Sequence, residues 1–317
     1  MMFNVVTGGA GFIGSHLVDA LVARGDRVTV IDSLAAGSKN NLAAHLGEDR
    51  VNLVIADLLS DGWQEGFEGA DRIYHLAADP DVRQSAVSPV GPVNNNILAT
   101  FRVLEAMRLY NVQQIIFTST STVYGDATVI PTPEEYAPLE PVSIYGASKL
   151  ACEALISAYC HSFSMTAWNF RFANIIGSRS GHGVITDFVT KLKHNPSELE
   201  ILGDGKQIKS YLDVQECVAA MLFAVDYAVE KVNTLNIGSE DWIDVKTIAD
   251  IVAGEMQCSG ARYRFTGGER GWVGDVPKMQ LSLARIKELG WRPQRGSEES
   301  VRMAVKAILA EHRAGMA

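Results

Sequence analysis

Only four cysteines occur among the 317 residues, and no two of them form a CxxC pair. Cys152, Cys160, Cys217 and Cys258 therefore offer neither a disulfide framework nor a thiolate zinc site, and all four are expected to be ordinary buried thiols. The seven histidines show no HExxH spacing or ligand cluster, so no metal is expected. Basic residues are also few: 28 Lys and Arg stand against 37 Asp and Glu, for a net charge of -9. Nothing supplies the positive footprint that neutralises a phosphate backbone, so nucleic acid is not an expected partner. A small anionic substrate stays open, because a pocket needs only a few local cations. Long apolar runs are missing too. No stretch approaches the roughly 18 residues of a spanning helix. The apolar start, residues 1–18, lacks a basic n-region and is broken by Gly8, Gly9, Gly11 and Gly14. No membrane association and a cytoplasmic location are the resulting expectations.

What the chain does have is apolar content, 47%, enough for a large core. Short runs rich in β-branched residues recur at 4–7, 27–31, 51–55, 72–76, 114–119 and 166–170. Between several of them lie stretches of helical periodicity at 12–24, 93–110 and 145–161. Strands apolar on both faces that alternate with helices call for a parallel sheet covered on both sides. The fold class is thus α/β, a doubly wound dinucleotide-binding (Rossmann) domain over 1–173 with a smaller α/β substrate lobe over 174–317. A strand-like run at 234–237, within a segment near 210–240, is able to rejoin the first sheet. Helices are expected at 184–193, 214–229 and 245–256, with a last one at 298–313 packed on the second lobe.

Directly after the first strand comes Thr7-Gly8-Gly9-Ala10-Gly11-Phe12-Ile13-Gly14, and a helix follows at once. Glycines at Gly8, Gly11 and Gly14 permit a tight turn and let the backbone approach a pyrophosphate, whose charge meets the free N–H groups of the helix start. A glycine-rich turn with no ligand is the plainer alternative, but strand, turn and helix stand in the required order. Asp32 closes the second strand, where a carboxylate binds ribose hydroxyls and repels a 2′-phosphate, so NAD is favoured over NADP. Its alternative is a turn cap. Asp57, after the third strand, is a weaker candidate for the adenine end.

Tyr145 and Lys149 stand at i and i+4, neighbours on one helical face. Lowering a phenol from a pKa of about 10 to about 7 takes roughly 4 kcal/mol. One cation about 4 Å away supplies a similar amount at an effective dielectric near 20, but burial opposes it. A second positive charge, an oxidised nicotinamide ring, would close the gap. The fifth strand runs into Thr118-Ser119-Thr120-Ser121-Thr122-Val123-Tyr124-Gly125, placing hydroxyls where ligands bind in open α/β sheets. Thr120 is the candidate to hydrogen-bond the reacting oxygen.

These segments resemble the extended short-chain dehydrogenase/reductase family, and within it the nucleotide-sugar epimerases, most of all the shorter, archaeal-type UDP-glucose (UDP-galactose) 4-epimerases. The resemblance is carried by TGGAGFIGSHL at 7–17, HLAADPDVR at 75–83, TSTSTVYGD at 118–126, YGASK at 145–149, RFANIIG at 171–177 and RGWVGD at 270–275. It implies that Tyr145 takes the proton of a sugar 4-hydroxyl while C4 gives hydride to NAD, after which the keto sugar turns over and is reduced on its other face. It further implies that Phe12, Ile13, Asp32, Asp57, Leu58, Leu76, Ala77, Ala78 and Asn95 line NAD. Asn174, Val184, Lys209, Arg270 and Asp275 would face the nucleotide diphosphate of a UDP-sugar. The helices at 93–110 and 145–161 resemble the family's dimer-forming pair, which implies a homodimer.

Family dehydratases resemble S-T-D-E-V-Y-G at the fifth strand, and uronate decarboxylases commonly carry S-T-S-E. Ser121 and Thr122 put no carboxylate here, so elimination, which needs an acid and a base, is disfavoured. Pro80 replaces a cofactor-side lysine of many epimerases, Lys209 an arginine, and Thr120 a serine. Between Arg270 and Asp275 the chain is two residues longer than the family pattern, which leaves Met279, near the family's sugar-size filter, silent on the substrate. Epimerases of N-acetylhexosamines or hexuronates, 4-keto-sugar reductases, and a non-catalytic NAD-sensing protein are the competing readings.

Overall fold

The chain opens with β1 (Phe3–Thr7), α1 (Phe12–Ala23), β2 (Arg27–Asp32), β3 (Val51–Ile55) and β4 (Arg72–His75). The short α2 (Val82–Ser85) and α3 (Val90–Pro92) lead to α4 (Ala99–Leu109), β5 (Gln114–Thr120), α5 (Ile144–Phe163) and β6 (Thr166–Phe172). Next come β7 (Asn174–Ile176), α6 (Val184–His194), β8 (Glu198–Ile201), β9 (Ile208–Lys209), β10 (Tyr211–Asp213), α7 (Val214–Tyr227) and β11 (Val232–Ile237). The remainder is β12 (Ile243–Asp244), α8 (Val245–Glu255), β13 (Arg262–Phe265), β14 (Lys278–Met279), α9 (Ala284–Leu289) and α10 (Ser297–Arg313). This is a computed structural model that describes residues 1–47 and 49–315.

Seven strands form one sheet in the order β11-β6-β5-β4-β1-β2-β3, and every neighbouring pair is parallel. Parallel pairing requires crossovers, and these put helices on both faces. Adjacent strand residues serve opposite faces. Val6 and Ile116 pack with Leu17, Leu21, Val218 and Met221 of α1 and α7. Val5 and Ile115 pack with Leu104, Met107 and Ile156 of α4 and α5. The strand order runs outward in one direction from β1 and in the other from β4, so a crevice opens at their C-terminal ends.

β11 lies beside β6 although 59 residues separate the end of one (172) from the start of the other (232). The intervening chain builds most of a second core, in which Phe188, Val189 and Leu192 meet Ile248, Val252, Val301 and Val305 of α8 and α10. Small sheets, β12-β9-β14, β10-β7 and β13-β8, edge this region.

Two expectations need correction. The stretch 93–110 is not one uniform helix: a π-helical turn spans Val93–Leu98 before α4 begins. Such a turn holds an extra residue and rotates the helix beyond it, and here it carries Asn96 inward. Cys258 is only partly buried, because it lies in the turn after α8, whereas the other three thiols are buried.

Candidate functional site

The glycine turn brings the backbone of β1 against β4. Gly8 has φ +72°, and a Cβ there would stand 2.6 Å from the Ala77 nitrogen; a Cβ on Gly14 would stand 2.2 Å from the Gly8 oxygen. No side chain other than hydrogen fits either place. α1 starts at Phe12 with Gly11 as its N-cap and no side-chain cap, so the N–H groups of Phe12, Ile13 and Gly14 face the crevice unclaimed. Asp32 is buried, accepting the Ala10 N–H on Oδ2 at 2.9 Å and the Leu34 N–H on Oδ1 at 2.8 Å. Two bonds of about four possible for a carboxylate leave acceptor sites for two ribose hydroxyls. These residues fit a dinucleotide.

The other cofactor candidates divide. Ala77 lies against Gly8, and Leu76 packs at the edge of the core below it. Ala78 is partly buried just beyond. Asp57 is exposed and accepts the Leu59 N–H at 2.8 Å, capping its own turn, while the Leu58 side chain is buried with Trp63 and Phe67. Only the backbone of Leu58 is therefore open to a ligand. Asn95 is exposed. Its neighbour Asn96, which the sequence reading missed, is the buried one: it accepts the Asp79 N–H at 2.7 Å and donates to Ser148 Oγ at 2.8 Å. That bond ties the chain after β4 to α5.

α5 begins where Ser143 accepts the Gly146 N–H at 3.0 Å, and it carries Tyr145 and Lys149 at the C-terminal edge of the sheet. Lys149 is 2% exposed and donates from Nζ to the Thr118 carbonyl at 2.8 Å. It also lies 4.6 Å from the centre of the Phe117 ring. Burial pushes its pKa down to about 8, against the pull of Cys152 and Glu153. Burial raises the Tyr145 phenol above its ordinary value; the neighbouring Thr120 hydroxyl opposes that rise, and Asp79 adds to it. Desolvation thus outweighs the hydrogen bond at this phenol. Thr120 accepts the Thr122 N–H at 3.2 Å, which fixes its hydroxyl at the end of β5.

Behind this pair lies a neutral relay. His75 is fully buried, with Nδ1 2.7 Å from Thr7 Oγ1 and Nε2 2.9 Å from Thr100 Oγ1. Burial and then Lys149 push its pKa down to about 3. One turn beyond Lys149, Glu153 takes a bidentate ion pair from buried Arg171, with Nη2 2.7 Å from Oε2, and a hydrogen bond from Ser119. This pair clamps α5 to β5 and β6. The broken hydrophobic pattern of Arg171 inside a strand was the only trace of it in the sequence.

Across the crevice, Asn174 donates from Nδ2 to the Ser210 carbonyl at 3.1 Å, and Val184 opens α6. Lys209 Nζ stands 2.6 Å from Oδ1 of buried Asp275. Arg270 holds Asp126 with Nη2 2.7 Å from Oδ2 and also donates to the Asp275 carbonyl. Both cations of this side are therefore already partnered by carboxylates. Among the described residues no group of three or more His, Cys, Asp or Glu side chains is placed to hold a metal, and no helix is long and apolar enough to cross a membrane.

A doubly wound sheet, a glycine cradle with an acidic ribose site, and a Tyr–Lys pair on the next helix define an enzyme that does redox chemistry with a bound dinucleotide. The model of the NAD dependent epimerase/dehydratase family matches residues 4–238, and the chain belongs to that family. A putative UDP-glucose 4-epimerase of Methanocaldococcus jannaschii is 32% identical over 95% of this chain and 96% of its own length. A solved UDP-galactose 4-epimerase is 41% identical, with a TM-score of 0.86 over 98% of this chain and 99% of that one. A UDP-glucuronic acid 4-epimerase from Bacillus cereus, solved with UDP-glucuronic acid and NAD, is 25% identical, with a TM-score of 0.88 over 98% of this chain and 99% of that one. The chain is an NAD-dependent enzyme of the nucleotide-sugar epimerase type.

Proposed function

We propose that the chain interconverts UDP-glucose and UDP-galactose by transient oxidation at sugar C4. The observation that supports this reading is Tyr145, hydrogen-bonded to Thr120, standing one helical turn before buried Lys149 at the edge of the crevice that the glycine cradle opens. NAD held in this crevice would supply reversible hydride exchange with sugar C4. Gly8, Gly11 and Gly14 would admit its pyrophosphate, and Asp32 its ribose. Tyr145 would take the proton of the 4-hydroxyl and later give it back. Thr120 would hold that oxygen in line with the phenol. Lys149, anchored on the Thr118 carbonyl, would supply a positive charge one helical turn from the phenol. Phenolate formation is then favoured when a second positive charge stands in the crevice, which is the state able to accept hydride.

The absence of carboxylates at Ser121 and Thr122 supports epimerisation over elimination. Lys209, Arg270, Asp275, Asn174 and Val184 would receive the nucleotide diphosphate. Asp57, Leu58, Leu76, Ala77, Ala78 and Asn95 would complete the cofactor's surroundings. A hexuronate substrate is the second reading, favoured by the likeness to the Bacillus cereus enzyme. Incubation of the purified protein with UDP-galactose, UDP-glucose, their N-acetyl forms and UDP-glucuronate, followed by separation of products, tests it. UDP-glucose from UDP-galactose is the expected product, without consumption of added NADH. A product only from the uronate replaces the hexose reading.

Leu98, Phe101, Leu109 and Phe163 are 41% to 67% exposed on α4, α5 and the turn before them. Apolar side chains grouped on a helix pair support a homodimer. Light scattering should give twice the 34.4 kDa chain mass, and a monomer would rule the dimer out.

A further inference from the structure

Residues 177–183 run from β7, which begins at Asn174, to α6, which opens at Val184. Both of those residues are assigned above to the nucleotide diphosphate. The middle of the segment is tied to helices of both lobes. The Ser178 carbonyl accepts the Nε2–H of buried His16 on α1 at 3.0 Å, and His16 Nδ1 accepts an amide N–H of Gln215, at the start of α7, at 2.8 Å. An amide nitrogen only donates and a carbonyl only accepts, so these two partners hold the ring in one neutral tautomer. Arg179 reaches two helices: its N–H donates to Oε1 of Glu311 on α10 at 2.8 Å, and its Nη1 stands 2.9 Å from Oδ2 of Asp19 on α1. The other Asp19 oxygen meets His45 Nε2 at 2.8 Å, from the segment that follows Asp32. Phe12, His16 and Asp19 are spaced four and three apart, so one face of α1 carries the glycine cradle at its start and this joint one and two turns on.

Arg179 holds φ +62°, a left-handed conformation that strains any residue with a Cβ and leaves glycine unstrained. Its ion pair offers little in return, since the two side chains are 27% and 33% exposed. Strain and pairing thus nearly offset, and the joint contributes position rather than stability. A strained residue that tertiary contacts hold from two sides marks a place where the geometry itself is used. We propose that Arg179 is a positioning residue for the nucleotide-sugar: by joining α1 to α10 it sets the 177–183 segment, and with it Asn174 and Val184, at a fixed distance from the cofactor cradle. The inference rests on the nucleotide-sugar reading above and adds to it the residue that holds the binding edge of one lobe against the other.

Calorimetric titration of the NAD-loaded protein with UDP, together with melting temperatures, tests it. Arg179→Gly frees the strained backbone, keeps the N–H to Glu311 and removes the ion pair. UDP should bind this variant about fivefold more weakly, while the melting temperature stays near that of wild type. Arg179→Lys, which still presents a cation to Asp19, should regain most of the affinity. Asp19→Asn should weaken UDP by a similar factor, and the double variant should bind no more weakly than either single one, because both cut the same link. With UDP-galactose, KM should rise in Arg179→Gly by more than kcat falls. UDP affinity within about twofold of wild type in Arg179→Gly overturns the proposal and leaves the epimerase reading intact, whatever the melting temperature. A loss that lysine does not restore, or that adds to the loss in Asp19→Asn, also overturns it, because the ion pair then does not set the segment. A wild-type protein that binds no UDP removes the nucleotide-sugar reading and this positioning role with it.

Discussion

The guanidinium of Arg270 lies fork to fork on the carboxylate of Asp126, with Nη1 3.1 Å from Oδ1 and Nη2 2.7 Å from Oδ2. The two residues are 144 positions apart, one at the end of the β5 hydroxyl run and the other in the second lobe. The pair therefore bridges the crevice. A diphosphate presents the same planar edge of oxygens as the carboxylate, so it must compete for the same donors. Both side chains are close to half exposed, and the competition is mild. Asp126→Asn is expected to tighten UDP binding by roughly two- to fivefold, read by calorimetry. An unchanged or weaker affinity would show that Arg270 serves the ligand without leaving Asp126.

In the proposed reaction the phenol of Tyr145 would carry the proton transfer. Tyr145→Phe removes it and little else, because the ring is retained. Turnover should fall at least about a hundredfold, the lower range for a positioned acid–base group. NAD, measured by its absorbance after release from the denatured protein, should stay bound at the wild-type ratio. Wild-type turnover in this variant would end the role assigned to Tyr145.

Asp32 holds two backbone N–H groups while presenting the rest of its carboxylate to the crevice. Asp32→Ala should weaken NAD binding, by losing the ribose contact and by loosening the 10–34 turn. It should also narrow the preference for NAD over NADP, since no carboxylate then repels a 2′-phosphate. Titration of the apoprotein with both cofactors measures the ratio. A ratio unchanged from wild type would assign Asp32 to the turn alone.

The local features were legible because their physics is local. A strand, a glycine turn and a helix follow one another within residues 3–23, and alternating apolar runs locate the sheet strands to within one or two residues. The Tyr–Lys pair needs only helical spacing. What stayed hidden depends on tertiary approach: Asn96 rather than Asn95 turns inward because a π-helical turn shifts the register. The Asp126–Arg270 pair joins loops 144 residues apart, and the Glu153–Arg171 pair joins α5 to β6 only once the helix has packed on the sheet. Cys258 escaped the expected burial because a thiol in a helix-ending turn has no second layer over it.

His75 gives the fold a sensitivity to acid that no carboxylate explains. In the folded chain its pKa is pushed down to about 3, against about 6.5 when unfolded. Between those values the unfolded state binds one proton more than the folded state, so stability falls as pH drops through this window. Above about pH 6.5 both states are neutral at this ring and the effect vanishes. His75→Asn cannot take up that proton, and its urea midpoint should be lower at neutral pH because the bonds to Thr7 and Thr100 are weakened. From pH 7 to 5, however, the midpoint of the variant should decline less steeply than that of the wild type. Carboxylates titrate mainly below this range, so the difference in slope isolates the imidazole. Parallel slopes would mean that His75 is protonated in the folded chain, and that Lys149 has a charged neighbour rather than a neutral one.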